Sequence, residues 1–142
     1  MRTYPAEVFE ARLIIEPKIT ALAALRATRQ EIDEMQKSID RGSAAESLAE
    51  FEKWDAVFHR IIVGAARNGL LASLYEGIHA VRAGNLWGKM KEHSLTPERR
   101  KAYIAKHQAI LDAINDRDSR EAERNMYDHI VEARANILGP AT

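Results

Sequence analysis

Apolar residues recur at three- and four-residue steps along nearly the whole chain, and no alternating apolar–polar run of useful length interrupts them. That period belongs to helices buried by one face and leaves no material for a sheet. The first stretch, from about Pro5 to Ala27, carries Val8, Ala11, Ile15, Ile19, Leu22 and Ala23 at this spacing. Pro17 lies inside it and should kink the helix or remove one backbone bond. Thr28 and Glu31 form a capping-box pair opening a second helix, which should run to about Arg41 and stop at Gly42. A second such pair, Ser43 and Glu46, predicts the start of a third helix, rich in aromatics and closed by Asn68-Gly69. A fourth follows over roughly Leu70 to Trp87, and Gly88 to Leu95 reads as an irregular loop. Thr96-Pro97 is an N-cap followed by proline at the first helical position, predicting a fifth helix to about Asp116. Asp118 with Glu121 opens a sixth that ends at Gly139-Pro140. The expectation is an all-α protein, an antiparallel bundle of about six helices forming one domain over residues 1–142.

Polarity on the apolar faces carries the functional information. Asp55 and His59 are four residues apart, so on a helix they lie ~40° apart and share a face. They sit among Phe51, Trp54, Phe58 and Ile62. His107 lies between Tyr103-Ile104 and Ile110-Leu111, and His129 between Met126 and Ile130. A single histidine on an apolar face is more often a hydrogen-bonded core residue than a ligand, and an Asp-x-x-x-His pair can be a solvated surface pair. Three such histidines with one aspartate, on three helices, form a less ordinary set, whose donors suit Zn²⁺, Ni²⁺, Mn²⁺ or Fe²⁺. At this level both readings stay open: separate core hydrogen bonds, or one shared metal site.

Composition narrows the alternatives. The chain has no cysteine, which excludes disulfides, thiolate metal sites and cysteine nucleophiles. Its 21 basic and 21 acidic residues balance, whereas a self-sufficient nucleic-acid binder carries a basic excess. Strictly apolar runs are far shorter than the ~20 residues of a membrane span. The expected setting is the cytoplasm, with no membrane contact.

The residues resemble the FCD domain, the ligand-sensing C-terminal domain of FadR-type members of the GntR transcription regulators. The likeness covers nearly the whole chain. It rests on Phe9-Glu10-Ala11-Arg12-Leu13-Ile14-Ile15-Glu16-Pro17, on Asp55 with Phe58-His59 and Ala66-Arg67-Asn68, on the run from His107 to Ile114, and on Asp118, Ala122 and His129. The resemblance implies that Asp55, His59, His107 and His129 bind one divalent ion, zinc foremost, with nickel, manganese or iron as alternatives. It implies a small organic acid as effector, held partly by the ion and partly by Arg12, with Arg82 and Asn68 as further ligand-binding candidates. The structural alternative for Arg12 is a surface salt bridge with Glu16, and for Asn68 a role in ending the third helix. His79 and His93 fall outside the set, His93 as a solvated loop residue.

A full regulator of this type carries a winged helix-turn-helix ahead of the sensor. None precedes the first helix here, so DNA contact is expected only through a domain outside this chain. The amphipathic first and fourth helices, the latter with Leu70, Leu71, Leu74, Ile78 and Val81, are candidates for a homodimer surface. The competing function is a metal-dependent, hydrolase-like enzyme using the same four ligands. It needs a general acid or base as well; no second cluster is evident, and Glu52 lies ~60° from Asp55 around the helix.

Overall fold

The computed structural model describes residues 5–82 and 93–139, with Arg82 described by its backbone alone. Among these residues the chain forms six helices and no strand: α1 (Pro5–Arg26), α2 (Arg29–Ser43), α3 (Leu48–Ala65), α4 (Gly69–Arg82), α5 (Pro97–Asn115) and α6 (Ser119–Leu138).

Most boundaries follow from local chemistry. At Thr28 the capping box is complete: its hydroxyl accepts the Glu31 N–H at 3.1 Å, and the Glu31 carboxylate accepts the Thr28 N–H at 2.9 Å. Thr96 caps α5 through the Arg99 N–H at 3.2 Å, and Asp118 caps α6 through the Glu121 N–H at 3.1 Å. Each satisfies a backbone donor that a helix start otherwise leaves unpaired. Gly139, at φ 88°, ends α6.

Two boundary expectations are corrected. Gly42 does not stop α2; it is buried within the last turn, where an added Cβ would lie 3.3 Å from the Ile104 side chain. Its small size serves packing against α5. The cap of α3 is Ser47, whose hydroxyl accepts the Glu50 N–H at 3.1 Å, and Ser43 belongs to α2. Ser43-x-x-Glu46 and Ser47-x-x-Glu50 are both adequate start signals, and the tertiary fit of Gly42 selects the later one. Helix α1 is continuous through the buried Pro17. The expected extension of the fourth helix to Trp87, and most of the Gly88–Leu95 loop, lie outside the described residues.

The α3–α4 and α5–α6 turns each use an arginine in the left-handed region, Arg67 at φ 53° and Arg117 at φ 59°. Their side chains reach the end of α1. Arg67 donates to the Arg26 carbonyl at 3.2 Å and Arg117 to the Ala24 carbonyl at 3.3 Å, covering acceptors that a helix C-terminus leaves unpaired.

Helix α1 packs most extensively against α6 and also meets α3, α4 and α5; α2 lies against α3 and α5. Phe9, Ile19, Phe58, Ile62, Ile110, Ile114, Met126 and Ile130 form the fully buried centre. On α4, Leu71 and Ile78 pack against this core, whereas Leu70, Leu74 and Val81 are 74%, 50% and 39% exposed. These last three fall within ~40° of one another around the helix, so they make one apolar stripe on the surface.

Candidate metal centre

The buried stripe of α1 runs Phe9, Arg12, Glu16, Ile19, Thr20, Ala23. Two opposite charges therefore sit in the middle of an apolar face, pointing into the bundle. Helix α3 presents Asp55 and His59 one turn apart, α5 presents His107, and α6 presents His129. The three histidines are 1–3% exposed, and the Asp55 side chain is 10% exposed.

These four side chains converge. His107 Nε2 is 3.2 Å from Asp55 Oδ1 and 3.2 Å from His129 Nε2, and His59 Nε2 is 3.7 Å from Asp55 Oδ1. One donor atom from each residue can be chosen so that no pair is more than 4.8 Å apart. Donors bound to a common ion at ~2.1 Å lie ~3.0 Å apart at octahedral neighbours, ~3.4 Å in a tetrahedron and ~4.2 Å when opposed. The observed spacings, from 3.2 Å to at most 4.8 Å, span the tetrahedral and opposed values, and the widest needs ~0.6 Å of closure to reach the opposed one. The donor chemistry fits as well. Two imidazole nitrogens face each other at 3.2 Å, a contact that accepts only one proton between them, and a carboxylate oxygen shares the same space.

Surrounding groups hold the rings in place. Phe58 stacks on His107 at 4.5 Å between ring centres, and Tyr103 meets His129 edge-on at 5.4 Å. The Tyr103 hydroxyl accepts from Asn136 at 3.0 Å. Burial pushes the pKa of His129 well below its usual value, and neighbouring His107 and His59 push the same way. Burial lowers that of His59 too, against the opposing pull of Glu16 and Asp55. Both rings are therefore held neutral at pH 7, the state in which imidazole can ligate.

Behind His59 lies a contact that helical spacing alone did not single out as functional. Glu16 Oε1 is 3.2 Å from His59 Nδ1, and Glu16 Oε2 accepts from Arg12 Nε at 2.5 Å. Burial opposes ionisation of Glu16, but Arg12 and the hydrogen bonds from His59 and Arg12 outweigh it, so the carboxyl is held well below the usual range. Burial likewise works against the Arg12 charge, and the adjacent Glu16 reverses the balance. The Arg12–Glu16 pair, raised from the sequence only as a surface alternative for Arg12, is thus present but internal: both side chains are no more than 4% exposed. The available signal was their place on the stripe of Phe9, Ile19 and Ala23.

A cavity of about 20 Å³ adjoins the cluster, lined by Arg12, Asp55, His59, Tyr103 and His129 on its polar side and by Phe51 and Leu95 among its apolar residues. It is large enough for about one water and too small for an organic acid without movement of a wall. Asn68 is not brought to this site. It is exposed in the α3–α4 turn, where its Oδ1 accepts the Leu71 N–H at 3.0 Å and so starts α4. The Arg82 side chain lies outside the described residues. His79 is half-buried and stacks with Tyr75 at 6.1 Å, and His93 is exposed.

Residues 7–132 match the FCD domain family, and the chain belongs to it. Its relatives are GntR-type transcription regulators. It is 30% identical over 138 residues to the Uxu operon transcriptional regulator of Escherichia coli K12, covering 94% of this chain and 54% of that protein. It is 30% identical over 129 residues to the Exu regulon transcriptional regulator of the same strain, covering 89% and 48%. Among solved structures, E. coli McbR/YncC superposes with a TM-score of 0.83 at 16% identity, covering 94% of this chain and 63% of that one. Streptococcus agalactiae GntR does so at 0.67 and 22% identity, covering 91% and 57%. These two likenesses concern the fold. The chain spans about half the length of the curated relatives it matches. Relatives and fold are those of transcription regulators, not enzymes, so the hydrolase alternative finds no support.

Proposed function

We propose that this domain is the metal-dependent effector sensor of a GntR-type regulator. Asp55, His59, His107 and His129 hold one divalent ion, zinc foremost, and a small organic acid binds beside it. The reading is carried by one observation: four donors from three helices converge within 4.8 Å next to an internal cavity. A bound ion supplies Lewis-acid positions for a carboxylate and a neighbouring hydroxyl or keto oxygen. Arg12 lines the cavity and supplies a positive charge for the acid, although its Nε is engaged by Glu16.

The size of the cavity gives the reading a mechanism. A space for about one water cannot take an acid of several heavy atoms, so its entry must move residues that line it, such as Phe51, Leu95 or Ile137. Coupling between ligand and fold follows, because only the opened arrangement accommodates the acid. In a homodimer formed through the exposed Leu70, Leu74 and Val81 stripe, that shift repositions the DNA-binding domains that a regulator of this type carries. The cytoplasm is the compartment where such a regulator acts. Among the described residues no helix is long and apolar enough to cross a membrane.

Elemental analysis of purified protein should find about one equivalent of a divalent metal, removable by chelator. A thermal-shift panel of mono-, di- and tricarboxylates should then show stabilisation by some acids in the metal-loaded protein and little in the stripped protein. His129→Ala should lose the metal; unchanged metal content in that variant would defeat the four-ligand proposal.

A further inference from the structure

We infer that Glu16, held in a buried salt bridge by Arg12, is the positioning residue of the metal centre: it fixes the His59 tautomer and ties α1 to the ion. The inference rests on the metal reading above. An ionised carboxylate can only accept hydrogen bonds. The 3.2 Å contact between Glu16 Oε1 and His59 Nδ1 therefore requires the proton on Nδ1. The lone pair then resides on Nε2, the nitrogen that approaches Asp55 Oδ1. Without this partner a neutral imidazole distributes its proton between two nitrogens, and part of the population presents N–H to the ion. The hydrogen bond also sets the ring orientation and raises the basicity of Nε2.

The arrangement explains why opposite charges interrupt the apolar stripe of α1. A carboxylate buried without a partner is costly. Arg12, one turn away and equally buried, supplies that partner. With a 2+ ion, Asp55 and Glu16 contribute two negative charges and Arg12 one positive, leaving +1 at the centre. That remainder suits an anionic effector. Helix α1 donates no ligand of its own, so the Glu16–His59 bond is its connection to the ion. Metal occupancy is thereby felt on α1 as well as on α3, α5 and α6.

The test must separate this role from ordinary packing. Removing Glu16 alone strands the Arg12 guanidinium, and Glu16→Gln would leave an amide oxygen able to accept from His59, so the decisive chain is Arg12→Met/Glu16→Met, which removes both charges and the acceptor at nearly constant volume. Zn²⁺ affinity, measured by competition with a chromophoric chelator, should fall 10- to 100-fold relative to wild type. Arg12→Met, which keeps the Glu16 side chain but strips its counter-charge, should fall between wild type and the double variant. Long-range ¹H–¹⁵N correlation of the metal-free protein should show His59 protonated on Nδ1 in wild type and mixed in the double variant. The Co²⁺-substituted absorption spectrum should differ between the two. Equal Zn²⁺ affinity in wild type and double variant, with an unchanged tautomer, overturns the role of Glu16 while leaving the four-ligand centre standing. A wild-type chain that binds no divalent metal overturns both.

Discussion

Removing the Arg12 charge should destabilise the domain by an amount set by pH, and the structure gives the ceiling. In metal-free Arg12→Met the aliphatic stem is largely replaced, so the main loss is the counter-charge of a carboxylate whose side chain is 3% exposed. Breaking a buried pair in this way costs about 3–5 kcal/mol if the stranded charge persists. Glu16 has an escape, which is protonation. From an ordinary value of 4.5, protonation at pH 7 costs about 1.4 kcal/mol per pH unit over two and a half units, or about 3.4 kcal/mol. The expected loss at pH 7 is thus about 3 kcal/mol, a Tm lower by roughly 10 °C for a domain of this size. At pH 5 the same escape costs only about 0.7 kcal/mol, so most of the defect should vanish. The sign follows from linkage. In wild type the depressed Glu16 pKa gives stability that is full above the unfolded value and lost as pH falls through the folded one. Nothing of that is lost between pH 7 and pH 5; in the variant Glu16 folds protonated, so its folded state gains relative stability as pH falls toward the unfolded value, and acid narrows the gap. The assay is urea unfolding of wild type and Arg12→Met in chelator at pH 7 and pH 5, compared at equal pH. A gap that stays constant between the two, or one below about 1 kcal/mol at pH 7, would refute a buried ionised Glu16.

Three further outcomes are expected. Because burial holds His59 and His129 below the ordinary histidine value, the unfolded chain takes up protons that the folded one refuses. Metal-free protein should therefore lose stability as pH falls below about 6.5, by up to about 1.4 kcal/mol per unit for each ring; thermal unfolding between pH 8 and pH 5.5 checks this. Phe58→Ala removes a fully buried ring stacked on His107 and should cost about 3–5 kcal/mol, together with weaker Zn²⁺ binding; equal Zn²⁺ affinity in folded variant and wild type would show that His107 needs no such support. Leu74→Lys places a charge in the exposed α4 stripe without touching the core. Sedimentation should show a dimer for wild type and a monomer for the variant at the same concentration, with Tm of the monomeric fold little changed.

The sequence determined the class of fold because its signals are local. A 3.6-residue apolar period and short-range side-chain caps such as Thr28, Thr96 and Asp118 act within one or two turns, where chain neighbours suffice to set the outcome. It also singled out Asp55, His59, His107 and His129, since polar residues on apolar faces are visible without knowing what those faces meet. Other features were decided only by packing between helices distant in the chain. Whether Gly42 ends α2 or nests against Ile104 depends on where α5 lies. Whether Arg12 and Glu16 form a surface pair or an internal one depends on which face of α1 turns inward. The partnership of Glu16 with His59 spans 43 residues, and no periodicity encodes it. Asn68 kept the local role its position in a turn allows and was not drawn to the site. Electrostatics made the difference: a buried charge must find its counterpart in space, and only the assembled bundle fixes which helix provides it.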